Sequence, residues 1–431
     1  MRKRQESRQA RRWAFIALCA VMACVNWRAA LAQDKPPPPL SSLLTQPGLF
    51  EPPGGPKAQL REWGIGLDAW VTQFGQGLMS GDGSHAWRGG GKGDLILNLD
   101  FGKMGAVEGL SVNVHQEILW GRDINSLKDG SLIPLNTALA FPHLGGREYD
   151  ISVNLTQKVG PLTFSAGKFN LLDLAAKTPL VGGGGLDTFM NTAIAAPISG
   201  VTPPYLYGGI VTLKTDPAIF TLMVYDPRNA QGSSVLATLF SKGVTGSLAM
   251  TVPVSIGGLQ GFYAIRGVYS SKSGQDLNDV LIKKLLPDNL ESNLEKTGYR
   301  YGQISFQQFL FQHAEKPGVG WGLFGDAAVS DGNPNPFRWR LTGGVGGNNL
   351  MEGRELDRWG VGYFRYTISQ TLLNWLALAQ KPRRAEQGIE AFYNLAITPW
   401  FRVTADVQWI TPWEAAKKNA VVGAVRTQIR F

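Results

Sequence analysis

Strict alternation of side chains is the feature that most constrains what this chain can fold into. In the closing stretch, residues 419–431, apolar or small side chains take one set of alternate positions, and Arg430, Gln428 and Arg426 belong to the other set. A period of two places successive residues on opposite faces of a β-strand, so one face meets an apolar environment and the other meets water. The pattern predicts a strand. By itself it leaves open whether that strand belongs to a soluble β-sandwich or to a membrane barrel.

The same alternation continues along the chain from about Trp63 onward. Its clearest segments are Leu110–Trp120, Tyr149–Val159 and Phe401–Trp409. Less regular candidates are Ile65–Phe74, Asp94–Phe101, Leu162–Phe169, Gly208–Lys214, Ile219–Tyr225, Ser247–Val254, Gln260–Tyr269, Tyr299–Phe309, Trp321–Val329, Arg338–Val345, Trp359–Tyr366, Leu372–Gln380 and Gly388–Ile397. Because a bacterial antiparallel barrel closes with an even number of strands, we expect about 16.

The connections between these strands alternate in length. Tight turns at residues 160–161, 215–218 and 398–400 are expected on the periplasmic side. The longer connections 171–207 and 270–298 are expected at the opposite end, and Asp276–Leu286 in the second has helical spacing. Glycines at 182–185 permit sharp bends, which leads to the hypothesis that the first long connection folds into the barrel.

The amino-terminal residues predict export. Basic residues precede an apolar run, Trp13–Val25, and Ala30-Leu31-Ala32 follows it, which is the layout of a signal peptide cleaved after Ala32. Residues 33–62 form a proline-rich stretch, expected to be a stiff periplasmic leader, and residues 63–431 the barrel. Removal of residues 1–32 takes both cysteines and lowers the net charge from +9 to +3, because seven Lys/Arg and one Glu leave. The basic balance is therefore no argument for a nucleic-acid partner.

Composition and aromatic placement favour the membrane barrel over the sandwich. Mean hydropathy is −0.08, and no stretch after residue 32 offers the roughly 18 consecutive apolar residues that a spanning helix requires. A barrel strand needs only about 9–11 alternating residues. Aromatic rings also cluster at the predicted strand ends, as expected at the headgroup level of a bilayer: Trp120, Tyr149, Trp400, Trp409, Trp413 and Phe431.

Several short motifs, in order, resemble the carbohydrate-selective porin family, OprB type. Matching runs include Phe189-Met190-Asn191, Gln307-Gln308, Ser330–Pro336, Gly353-Arg354 and Asp357–Gly362. Further matches near the end are Glu390, Tyr393, Thr404, Asp406, Gln408, Pro412 and Arg426. Pro53 and Lys57 depart from the family pattern, which usually has Trp and Arg there. The closing strand with Phe431 also resembles the last strand of outer-membrane barrels, which the insertion machinery reads.

The resemblance implies a water-filled outer-membrane channel of about 16 strands through which sugars diffuse passively. Its solutes would be sugars such as glucose, and a homotrimer is an open alternative to a monomer. No cofactor or metal is expected. Inward-facing charged and amide groups are the candidate pore-lining residues because they hydrogen-bond sugar hydroxyls strongly: Asn113, His115, Glu117, Asp150, Asn154, Lys158, Glu390, Asn394, Arg402, Asp406, Gln408 and Arg426.

Other functions remain as alternatives. The runner-up is a general diffusion porin without a sugar site, and an adhesin or scaffold barrel would have a plugged lumen. An enzyme is not expected, since none of the four histidines (His85, His115, His143 and His313) accompanies a serine motif. Ser330–Asn333 resembles an acidic metal loop but lacks the later bidentate Glu. Arg354 and Asp357 are expected to form a structural ion pair.

Overall fold

The strands of the computed structural model follow the alternating segments. It describes residues 40–126, 129–141, 148–231, 233–278 and 295–431. The strands are β1 Ile65–Ser80, β2 Arg88–Asp100, β3 Leu110–Gly121, β4 Tyr149–Val159, β5 Leu162–Asn170, β6 Tyr205–Lys214, β7 Ile219–Tyr225, β8 Thr245–Ile256, β9 Leu259–Gln275, β10 Glu295–His313, β11 Lys316–Ser330, β12 Phe337–Asn348, β13 Arg358–Ile368, β14 Glu386–Ala396, β15 Phe401–Thr411 and β16 Ala420–Arg430.

These 16 strands close into one antiparallel barrel. Every strand pairs with its neighbours in sequence, and β1 also pairs with β16, where Trp70 lies opposite Arg430. Closure removes the unpaired sheet edges that would otherwise expose main-chain groups, which is the condition for strands to cross a bilayer. The predicted fold class and the expected strand number are confirmed.

The faces of the strands match the predicted alternation. In β4, Ile151, Val153 and Leu155 are each about half exposed on the outer surface, whereas Asp150 and Ser152 are 4% and 2% exposed. Apolar side chains therefore cover the outside of the wall and polar ones point inward. The short turns lie at the end of the barrel where β1 begins, and the long connections lie at the other end.

Strand ends were predicted with mixed success. Tyr149–Val159 and Ile219–Tyr225 are the observed strands, while β10 extends beyond the predicted Tyr299–Phe309 at both ends. The prediction of a strand at Leu372–Gln380 is wrong, because Gln370–Leu378 is a helix. Residues 372–378 contain only Leu, Ala, Asn and Trp. Because no residue there is β-branched, the high helix propensity of the leucines and the alanine favours a helix over a strand.

The described residues include six short helices outside the wall strands: α1 Leu40–Thr45, α2 Pro56–Glu62, α3 Thr137–Ala140, α4 Leu171–Ala175, α5 Thr192–Ala195 and α6 Gln370–Leu378. Short 3-10 helices occur at Ile124–Ser126 and Ser233–Thr238. None of these described helices has the length and apolar character to cross a membrane. A helix is predicted at Asp276–Leu286, and its residues 279–286 lie outside the described residues. His143 also lies outside them.

Residues 40–62 pack against the strand ends on the short-turn side. The proline-rich stretch is therefore partly helical, as α1 and α2, and not wholly extended. Lys57 Nζ donates to the main-chain oxygen of Phe431 at 2.7 Å and to Glu51 at 3.0 Å. Burial by itself would raise the pKa of Glu51, but the hydrogen bonds from Arg61 and Lys57 outweigh it and lower that pKa. Lys57, which departs from the family pattern, thus holds this segment against the seam between β1 and β16.

Candidate functional site

The connection between β5 and β6 runs inside the barrel. We call residues 171–204 the inward segment; it contains α4 and α5. Phe189, Met190 and Ile194 are at most 2% exposed. The Phe189 ring packs edge-on against Phe392 and Phe324 of the wall, with ring centres 4.8 and 5.5 Å apart. The hypothesis that this connection folds into the barrel is confirmed.

The wall has room for Phe189 because two of its residues lack side chains. A Cβ atom at Gly360 would lie 2.7 Å from the Phe189 ring, and one at Gly362 would lie 2.8 Å from Ile194. Both distances are shorter than real contacts allow, so any larger residue would push the inward segment away from β13. Gly360 and Gly362 therefore leave the space against β13 in which this segment packs.

Polar side chains of β14 and β16 bind the main chain of the inward segment. The Glu390 carboxylate accepts hydrogen bonds from the main-chain N–H groups of Met190 and Asn191, the latter at 3.0 Å. Arg426 donates to the carbonyl oxygens of Gly185 and Thr188 at 2.7 and 3.0 Å. These bonds satisfy loop groups that would otherwise be buried without partners.

Two amide side chains complete this anchoring. Asn394 donates to the carbonyl of Asp187 at 3.1 Å. Gln408 accepts from Asn191 at 3.0 Å and donates to Asp406 at 3.1 Å and to the carbonyl of Leu135 at 3.0 Å. The inward segment is therefore held by a continuous row of wall residues.

A second connection fills the same half of the lumen. Residues 129–141, between β3 and β4, place the main-chain N–H of Ile133 2.9 Å from the Glu386 carboxylate. Asn136 donates to Gln76 of β1 at 2.6 Å. At the far end of the inward segment, Asn335 of the Ser330–Pro336 motif is fully buried and donates to the carbonyl of Ser199 at 2.9 Å. That motif therefore holds the end of the inward segment against the barrel.

A buried charge cluster on β2 to β5 binds the start of the inward segment. His115 contacts Asp94 and Asp173, each at 2.9 Å, and Lys92 contacts Glu117 at 2.7 Å. Nearby, Lys168 contacts Asp150 at 2.6 Å. Side-chain atoms of Asp94, His115 and Glu117 lie within 4.8 Å of one another, a residue set that could ligate a metal. The Lys92 ammonium already supplies a positive charge there, 3.1 Å from Asp94.

The predicted pore-lining residues are therefore distributed unevenly. Glu390, Asn394, Asp406, Gln408 and Arg426 point inward as predicted, but the inward segment covers them, and each is at most 6% exposed. His115, Glu117 and Asp150 are buried in the charge cluster. Asn113, Asn154 and Arg402 are half-buried, and Lys158 is exposed. The predicted ion pair between Arg354 and Asp357 is present at 2.6 Å.

The open part of the lumen lies between the inward segment and strands β7 to β12. It is a cavity of about 610 Å³. Its charged lining residues are Arg266, Asp326 and Arg340, with Gln303 and Ser305 beside them. Asp326 accepts hydrogen bonds from both Arg340 and Gln303. None of the twelve predicted residues lines this cavity.

These missed residues do carry a sequence signal. Gln303, Ser305 and Gln307 alternate with the outward-facing Ile304 and Phe306, so their period places them on the lumen side. The cross-strand register then brings them beside the other polar residues, because Ser305 lies opposite Asp326. The strands were identified from sequence, but the side of the barrel left open was not.

Comparisons with known proteins agree with this architecture. A model of the carbohydrate-selective porin family, OprB, matches residues 150–431. The high-pH structure of Pseudomonas putida OprB has a TM-score of 0.78 at 16% identity, covering 90% of this chain and 99% of that one. The outer membrane channel DcaP of Acinetobacter baumannii has a TM-score of 0.51 at 10% identity, covering 85% and 97%. These structural likenesses concern the fold. No curated protein sequence matches the chain.

Proposed function

Since this chain belongs to the carbohydrate-selective porin family, OprB, we propose that its sugar path is the cavity between the inward segment and strands β7 to β12. The protein is a bacterial outer-membrane porin through which sugars diffuse passively. The family and the fold are those of channels, and we assign the protein transport without a chemical step. The cavity, at about 610 Å³, is within the roughly 300–1,000 Å³ typical of small-molecule sites.

The two sides of the cavity differ in chemistry, and this observation carries the proposal. On the wall, Arg340, Asp326 and Gln303 offer charged and amide groups that donate to and accept from hydroxyls. On the inward segment, Pro197, Ile198 and Pro203 present apolar surface. A pyranose has hydroxyls around its rim and apolar faces, so it fits between such walls with its hydroxyls toward β10 to β12. A monosaccharide such as glucose is the solute we propose.

Binding along this path must be weak for transport to occur. A channel site conducts only if the solute leaves as readily as it enters. Asp326 and Arg340 already satisfy part of each other's hydrogen-bonding capacity. A sugar hydroxyl that binds either residue therefore replaces an existing hydrogen bond and does not add a new one. This supports a modest affinity for sugars.

Eight of the twelve predicted residues take one of two roles in this proposal. Glu390, Asn394, Asp406, Gln408 and Arg426 shape the path by holding the inward segment. Asn113, Asn154 and Lys158 are less covered, and their positions along β3 and β4 make them candidates for contacts with a solute at the periplasmic end. Arg402 donates to the carbonyl of Leu356 at 3.1 Å in a periplasmic turn.

The test is single-channel conductance of the refolded chain in a planar bilayer, titrated with glucose. Saturable block of the current is expected in the unmodified protein. In Asp326→Asn and Gln303→Ala the half-blocking glucose concentration should be at least about threefold higher, because each variant loses a hydrogen bond worth roughly 1 kcal/mol. Gln387→Ala changes an amide bonded to Tyr363 and Arg365, away from the cavity lining, and is the matched control. Current that no sugar affects would support general diffusion, and a folded barrel without conductance would contradict the channel.

Export and assembly complete the proposal. Residues 1–32 act as the signal peptide, although they lie outside the described residues. The insertion machinery recognises β16 and Phe431, and lipid-facing strands allow a homotrimer. Cross-linking of the refolded barrel in detergent distinguishes a trimer from a monomer.

A further inference from the structure

The charges that line the cavity do not balance. Its charged lining residues are Arg266, Arg340 and Asp326, two cations and one anion. Arg340 and Asp326 form an ion pair, which leaves the charge of Arg266 to be accounted for.

Arg266 is held by neutral groups. Its Nε donates to the Ser247 hydroxyl at 2.8 Å, and its Nη2 lies 3.4 Å from the Thr202 hydroxyl of the inward segment. Among the described residues, no carboxylate lies within 4.0 Å of its guanidinium. Since arginine remains protonated at all relevant pH values, the positive charge persists.

The position of Arg266 gives this charge an effect on passing solutes. It lies directly opposite Gln303 in the β9–β10 register, at the level of the polar wall. The lining that the inward segment contributes is mainly apolar, as at Pro197 and Ile198, and carries no charged side chain. A charge in a narrow cavity with low-dielectric walls raises the local concentration of ions of the opposite sign.

We infer that the channel admits anionic sugars, such as uronic acids, in preference to cationic sugars of the same size, and that Arg266 determines this preference. A carboxylate on the ring would pair with the guanidinium in a charge-assisted hydrogen bond, while the hydroxyls keep the contacts proposed for a neutral sugar. This inference rests on the proposed function of the cavity as the sugar path.

The experiment compares three solutes of one ring size: glucose, glucuronate and glucosamine. Flux into liposomes containing the refolded chain is measured at low ionic strength, together with the zero-current potential in a KCl gradient. In the unmodified protein, glucuronate flux is expected to exceed glucosamine flux by at least about threefold, since charges in the cavity are screened little at low salt. The zero-current potential is expected to show preference for chloride.

Three variants isolate the role of Arg266. Arg266→Gln is expected to remove the flux ratio and the chloride preference, and Arg266→Lys, which keeps the charge, is expected to retain both. Arg365→Gln is the matched control, because Arg365 is exposed on the outer face and bonds Gln387. A heat-dependent shift in gel mobility verifies that each barrel has folded.

The outcomes separate this inference from the proposed function. Glucose flux with equal glucuronate and glucosamine flux would overturn the inference and leave the sugar channel in place. A flux ratio that Arg266→Gln does not change would overturn the assignment to Arg266. Absence of glucose flux from a folded barrel would contradict the proposed function itself.

Discussion

The two halves of the lumen use similar side chains for different purposes. On the half formed by β14 to β16, Glu390 and Arg426 bond main-chain groups of the inward segment and are fully buried. On the half formed by β7 to β12, Asp326 and Arg340 bond each other and border the cavity. An inward-facing charged residue therefore meets the solute only where no connection covers it. We call these the filled half and the open half.

Removing the inward segment is the strongest test of this comparison. Asn170 and Tyr205 lie opposite each other in the β5–β6 register, so a short Gly/Ser turn can replace residues 171–204 without changing any strand pairing. Conductance is expected to rise at least about threefold, because a bare 16-stranded barrel encloses a wide aqueous channel. Glucose block should disappear with the same change.

The control for this deletion is an equal linker in place of residues 236–242, an exposed stretch between β7 and β8. It should leave the conductance unchanged. Unaltered conductance in the inward-segment deletion itself would show that the segment does not restrict the pore, and the distinction between the two halves would fail.

A smaller effect is expected from a single anchor. Glu390→Ala leaves two buried N–H groups, those of Met190 and Asn191, without their acceptor, at a cost of about 2–4 kcal/mol. The inward segment should then fluctuate, seen as excess open-channel noise and a conductance between those of the intact and deleted forms. Glu390→Gln keeps an acceptor oxygen and should be milder.

Glu352→Ala, at an exposed position in the periplasmic turn between β12 and β13, is the matched control for this anchor. Quiet channels of normal conductance in Glu390→Ala would mean that the remaining anchors, such as Arg426, suffice to fix the segment.

The smallest effect is expected at the periplasmic end. The lowered pKa of Glu51 means that its contribution to stability is complete above the ordinary glutamate value and is lost as the pH falls through the folded-state pKa. Acidification below the ordinary glutamate value should therefore lower the free energy of unfolding through this group, by less than the changes expected above. Conductance should not change, because Glu51 is outside the lumen.

Urea titrations at several pH values measure this effect, with Glu51→Gln as the control that should flatten the response. A conductance change that follows the titration of Glu51 would show that residues 40–62 also shape the pore. That result would contradict the comparison of the two halves, in which only residues inside the lumen shape it.

Much of the fold was readable from the sequence because the bilayer imposes a simple rule. Alternation predicted β4 and β7 to the residue and the inward direction of Asp150, Glu390 and Arg426. The strand prediction at Leu372–Gln380 is wrong, because residues 372–378 are mainly apolar without alternation and belong to helix α6. Local patterns identify strands reliably only where lipid faces one side and polar groups the other.

The candidate site was less predictable. Alternation says that Gln408 and Gln303 both point inward, but it does not say that the inward segment covers the first and leaves the second open. That outcome depends on contacts between residues far apart in sequence, such as Asn191 with Gln408 and Leu180 with Gln307. The glycines at 360 and 362 carry part of this information, as space for Phe189.

The attachment of the inward segment to the wall has an evolutionary consequence. The inward segment enters and leaves the barrel between two neighbouring strands, β5 and β6, so insertions, deletions and substitutions within it do not shift the register of the wall. Selection can therefore act on what passes through the channel separately from how the protein inserts and persists in the membrane. Changes within this one connection could therefore adapt the channel to a new nutrient while the barrel wall stays the same.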